Sequence, residues 1–228
     1  MNPPLNSLLQ HIYRNLPNIV SFLGVLPLCI LLQGNAFLYL CPLIVFNNIM
    51  DDLDGILAKK LRLGSAFGAG LDNVCDAVAH ILIAMVVGAH YGGVVLAASL
   101  LSAVAILIRV VQRVDPSHVG GTGTPTNELM RHLLLLTLVQ ELYEFNVTPY
   151  LVTAYVLNSA SMLVPFAMPH LIRSKAKSAT AVLGVNAVLV TAWYAPITAP
   201  FIAAAFFGSY LYSFLAGGVR WIRSSGRP

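Results

Sequence analysis

Charge is what this sequence lacks. Lys, Arg, Asp and Glu make up 10% of its 228 residues, against about 25% in an ordinary soluble domain. Hydrophobic residues make up 57%, and the mean hydropathy is +0.77. Too little polar surface remains to keep such a chain in water. This excludes a soluble globular domain and implies an integral membrane protein. Cysteine is also scarce. Cys29, Cys41 and Cys75 fall within or beside apolar segments, at spacings that suggest neither zinc nor a disulfide framework. There is no internal repeat and no low-complexity tract. The N-terminus shows no basic stretch followed by an apolar run, so no cleavable signal peptide is expected. No nucleic-acid partner is expected either.

Long apolar runs are what remains. A spanning helix needs about 20 mostly apolar residues, and eight candidates emerge: 18–32, 36–59, 66–90, 93–111, 129–145, 148–168, 179–193 and 200–215. The expected fold is therefore an all-α, polytopic membrane bundle of about eight transmembrane helices. With an even number of spans, both termini lie on one side. All 13 Lys and Arg fall at the termini or near the loops of that side: Arg14, Lys59, Lys60, Arg62, Arg109, Arg113, Arg131, Arg173, Lys175, Lys177, Arg220, Arg223 and Arg227. The opposite connections hold none. By the positive-inside rule that side is cytoplasmic, which for a bacterial protein means the inner membrane. The polar stretch 115–128 reads as a cytoplasmic loop.

Residues 1–16 form a separate unit in this reading. Leu5, Leu8, Leu9, Ile12, Tyr13 and Leu16 recur at helical spacing between Asn6, Gln10 and Arg14. This predicts a short amphipathic helix lying on the membrane surface. Pro17 then separates it from the membrane domain, residues 17–228.

Acid is scarcer than base, and it is clustered. Five of the nine Asp and Glu lie between positions 51 and 76. Asp51, Asp54, Gly55, Ala58, Lys59, Gly68, Asp72 and Asp76 spell D-x-x-D-G-x-x-A-K-x8-G-x3-D-x3-D. Spacings of three and four put Asp51 with Asp54, and Asp72 with Asp76, on single helix faces. Two such helices side by side would converge four carboxylates. Unpaired, these would repel one another. Divalent cations resolve the repulsion, and hard oxygen ligands suit Mg²⁺ or Mn²⁺. Two such ions fit a pyrophosphate substrate. Gly55, Ala58 and Gly68 leave room beside the acids, Lys59 adds a positive charge, and Ser65 adds a hydroxyl. Asp52 lies off the pattern and reads as a solvated neighbour. His80 and His90 read as packing or interfacial residues.

The pattern resembles that of the CDP-alcohol phosphotransferases, membrane enzymes with a six-helix core that join a CDP-linked lipid to an alcohol and release CMP. The resemblance implies that Asp51, Asp54 and Asp72 bind metal and that Asp76 is both ligand and catalytic base. It implies CDP contacts from Gly55, Ala58, Lys59, Ser65 and Gly68. Lys59 departs from the family's arginine, keeping charge but losing bidentate phosphate recognition. Pro17-Asn18-Ile19-Val20-Ser21 is similar to the family's P-N-x-x-T opening, which adds Asn18 to the CDP contacts. Homodimers in membrane lipid are implied as well. Ser65-Ala66-Phe67-Gly68 and Leu71-Asp72 resemble the phosphatidylserine synthase branch, as do Arg109 and Arg113 followed by Gly123-Thr124-Pro125-Thr126. Here Arg109 and Arg113 are one residue further apart than in that branch, and Asn127 stands where its second proline would be. The resemblance implies CDP-diacylglycerol as donor and serine as acceptor, with Arg109 or Arg113 binding the serine carboxylate. Glycerol 3-phosphate, inositol phosphate and choline are the alternative acceptors. A cation-binding transporter is the alternative class, poorly supported because the acids sit at helix ends and no repeated halves are visible.

Overall fold

The computed structural model describes residues 3–34, 36–114, 123–166, 168 and 179–225, and all regular structure among them is helical. α1 (Pro3–Arg14) and α2 (Leu16–Val25) are followed by a 3₁₀ stretch, Leu26–Leu32. Next come a 3₁₀ turn, Ala36–Tyr39, and then α3 (Leu40–Lys60), α4 (Ala66–Tyr91) and α5 (Gly93–Val114). The chain continues with α6 (Asn127–Tyr143), α7 (Thr148–Leu163), α8 (Ala179–Tyr194) and α9 (Ala199–Ser225). Arg173, Lys175, Lys177 and Arg227, with positions 115–122 of the expected loop, lie outside the described residues.

Each expected apolar segment falls on a helix, but length and hydropathy alone qualify three: Ala66–Tyr91, Gly93–Val114 and Pro196–Ser224. A fourth, Leu16–Leu32, qualifies as part of a pair bent by 62° against Ser7–Arg14. The rest are short, like α6, α7 and α8, or carry charge within them, like α3. The count of eight thus rests on charge placement. The first span differs from expectation: Pro27 lacks an amide hydrogen, and the α-helix gives way to 3₁₀ turns there. α9 runs ten residues beyond the expected Leu215, because Arg220, Trp221 and Arg223 are all compatible with helix.

The bend at Asn15 leaves Leu8, Leu9, Ile12 and Tyr13 of α1 exposed, an apolar face that none of the described residues covers. The tightest interior packing uses small residues, as close helix approach in membranes requires. A Cβ on Gly24 would sit 2.9 Å from Met50 Cβ, and one on Gly88 2.0 Å from Ser99 Oγ. These contacts seat α2 on α3 and α4 on α5. Gly92 and Gly93, at φ of 66° and 48°, make the sharp turn between α4 and α5. α6 is central: from Leu129 to Leu135 every residue is buried, whatever its direction.

Candidate active site

α3 ends in a Schellman motif. Arg62 takes a left-handed φ of 55°, Leu63 N donates to Ala58 O at 2.9 Å and Arg62 N to Lys59 O at 3.4 Å. Three residues later Ser65 caps α4, its Oγ accepting from Gly68 N at 2.9 Å. This tight reversal lays the aspartate faces of α3 and α4 side by side. Asp51, Asp72 and Asp76 each bring a carboxylate oxygen within 4.8 Å of the others, all three half-buried. A hard divalent cation fits such an all-oxygen donor set.

Asp54 stands apart from that trio. It is buried, and its carboxylate accepts a hydrogen bond from the Ser21 hydroxyl of α2. With Asp72 it faces a cavity of about 180 Å³, whose wall also includes Asn18, Ser21, Gly55, Ala58, Ser65 and Gly68. Space beside Gly55 is open, with nothing within 4 Å of where its Cβ would be. Gly68 is different: a Cβ there would lie 2.9 Å from Asn18 Oδ1 and 3.1 Å from Ser65 Oγ. The residues expected at CDP therefore share one wall, except Lys59, which is exposed and not part of the lining. Gly68→Ala should press on Asn18 and on the Ser65 cap. Displacing Asn18 in the cavity wall is expected to weaken binding of a CDP-linked donor by about 1.4 kcal/mol, a rise of about tenfold in KM, read from initial rates of CMP release.

The two α5 arginines are placed differently. Arg109 is buried, with Nη1 donating to Met162 O at 3.1 Å and Nη2 to Gly123 O at 3.2 Å. Arg113 is exposed and reaches Asn73 Oδ1 at 3.4 Å, beside Asp72. Arg131 is also buried, paired with Glu128 at 3.0 Å and lying over the Phe206 ring. Arg109 and Arg131 are therefore not charges at the membrane surface.

Three features depart from the sequence reading. Asp52 is not a solvated neighbour: its Oδ2 accepts from Asn186 Nδ2 of α8 at 2.7 Å and from Asn48 Nδ2 at 3.3 Å. The end of the expected cytoplasmic loop is not solvated either, since Thr124, Thr126 and Asn127 are buried. Asn127 also reaches the acidic centre, donating from Nδ2 to Asp51 Oδ2 at 2.5 Å. His80 keeps a packing role, bonded through Nδ1 to Thr126 Oγ1 at 2.8 Å.

Comparison with known proteins gives the family. The family described as CDP-alcohol phosphatidyltransferase matches residues 14–223. The chain belongs to that family. Its apolar helices and that family together make it a helical, multi-pass membrane protein. An uncharacterized protein of Aquifex aeolicus (strain VF5) is 34% identical to this chain over 85 residues, 35% of this chain and 42% of that protein. The match therefore spans less than half the length of that relative. The family typically uses divalent metal, and the aspartate trio is the group of the described residues with the right chemistry to hold it.

Proposed function

We propose that the protein transfers a phosphatidyl group from CDP-diacylglycerol to the hydroxyl of L-serine, releasing CMP. The observation that carries this reading is the convergence of Asp51, Asp72 and Asp76 beside a cavity walled by Gly55, Ala58 and Gly68. In this reading Asp51, Asp54, Asp72 and Asp76 hold two ions, Mg²⁺ or Mn²⁺. When bound, these supply charge neutralisation for the pyrophosphate and for the departing CMP phosphate. Asn18, Gly55, Ala58, Ser65 and Gly68 seat the CDP moiety, and Lys59 meets a phosphate from the rim. Asp76 takes the proton of the serine hydroxyl. The freed oxygen attacks the phosphorus bearing the lipid, and the bond to the CMP oxygen breaks. The serine carboxylate needs a cation, and Arg113, exposed on α5 and reaching Asn73 of α4, is better placed for it than the buried Arg109.

The setting follows from charge. Basic residues at Lys59, Lys60, Arg62, Arg220 and Arg223 put the acidic centre and both termini on the cytoplasmic side. The exposed apolar face of α1 then lies in the lipid interface as residues 1–16 enter the membrane domain at Pro17. The donor enters from the bilayer with its chains in lipid, and the enzyme works as a homodimer.

The test is metal-dependent CMP release from CDP-diacylglycerol by the purified protein, with serine, glycerol 3-phosphate, inositol phosphate and choline offered separately. Release with serine alone is expected. Release with another acceptor would discard the serine assignment and keep the aspartate chemistry. No release with any of them would discard the phosphatidyl-transfer reading for this set of alcohols.

A further inference from the structure

Asn127 lies outside the aspartate pattern, 51 positions beyond Asp76, yet its side chain ends on Asp51. It is 5% exposed. Three of the four residues before it are pinned, by three different helices. Gly123 is pressed against the end of α7 so closely that a Cβ would fall 2.2 Å from Ser161 O. Thr124 N donates to that same carbonyl at 2.9 Å. Arg109 of α5 ties Gly123 O to Met162 O. Thr126 is held by His80 of α4, which lies one turn beyond Asp76 on the same helix face. α6 begins at Asn127 itself, so its backbone direction is fixed there too. A carboxamide delivered this firmly loses little entropy when it bonds.

We propose that Asn127 is a positioning residue for Asp51, fixing the orientation in which that carboxylate faces Asp72 and Asp76. An amide suits the task. It donates to an anion without bringing a positive charge that would compete with a cation for it. Groups that orient metal ligands in this way commonly change affinity by about tenfold or more when removed. The inference rests on reading Asp51 as a metal ligand.

The experiment titrates Mn²⁺ into the full-length protein in lipid nanodiscs, following free Mn²⁺ by electron paramagnetic resonance, with thermal unfolding recorded without metal. For Asn127→Ala, affinity is expected to fall about tenfold, with metal-free unfolding unchanged, KM for metal raised and KM for the alcohol unchanged. Thr126→Val removes the His80 tie but keeps the carboxamide, so a smaller loss of affinity in the same direction is expected. It also serves if Asn127→Ala does not fold. Unchanged Mn²⁺ affinity in both variants would overturn the proposal, as would loss of affinity only in step with loss of metal-free stability. Asp72→Ala separates the two readings. If it binds Mn²⁺ as the unaltered protein does, the metal reading fails. If it loses Mn²⁺ while Asn127→Ala retains it, only the role of Asn127 fails.

Discussion

Asp76→Asn is expected to lower CMP release by about a thousandfold, in the range usual for removing a general base, while the protein stays folded in the membrane. The amide matches the carboxylate in size and leaves α4 intact. What it removes is the capacity to accept a proton and one negative charge from the trio with Asp51 and Asp72. These two losses are separable. A variant impaired only as a ligand should recover when Mn²⁺ is raised, because the deficit is in occupancy. A variant lacking the base should stay slow at saturating metal. Asp52→Asn is the matched control. That carboxylate points into the Asn48–Asn186 network rather than the trio, and an amide oxygen can still accept from Asn186. Its activity should remain near that of the unaltered protein. Turnover retained by Asp76→Asn at saturating metal would remove Asp76 as the base.

The difference between Asp76 and Asp52 shows what a sequence of this kind discloses. The clustered acids were legible because charge is rare here and because helical spacing converts local sequence into a shared face. The Schellman reversal that brings the two faces together is local as well, completed within Ala58–Ser65. Asp52 carried no such signal. Its partner Asn186 lies 134 positions away, and nothing in either segment announces the other. Asn127 was hidden for the same reason, 76 positions from Asp51, at the end of a stretch whose Gly, Thr and Pro read as solvated loop. Those residue types also serve close backbone packing, and Gly123 against Ser161 is that case. The Asn that follows G-x-P-x is the clue that the sequence offered. Spans legible by hydropathy were those with lipid-facing surface, such as α4, α5 and α9. α6 is central, short and polar at its first turn, so its membrane character had to come from its neighbours.

The second large effect is expected at Arg109. Arg109→Met should lower stability by about 2–6 kcal/mol, because Met162 O and Gly123 O would be left buried without these donors, at about 1–3 kcal/mol each. Arg109→Lys should restore only part of it, since one ammonium on a flexible stem cannot match a planar fork spanning two carbonyls. The damage should extend beyond stability. Gly123 O is the point at which α5 holds the strand of chain leading to Asn127, so loosening it should weaken metal binding as Thr126→Val does. A role in binding the acceptor carboxylate predicts a different signature: KM for serine rises while unfolding temperature and Mn²⁺ affinity stay put. Arg113 offers the contrast on the same helix. It is exposed, with its 3.4 Å contact to Asn73 at the edge of the site, so Arg113→Met should cost little stability. If serine is the acceptor and Arg113 receives its carboxylate, KM for serine should rise by about tenfold or more, as loss of a charge-assisted hydrogen bond of about 1.5–3 kcal/mol requires. Unfolding curves and serine titrations on the two variants together assign one arginine to the scaffold and the other to the substrate; a raised KM for serine in Arg109→Met alone would reverse the assignment.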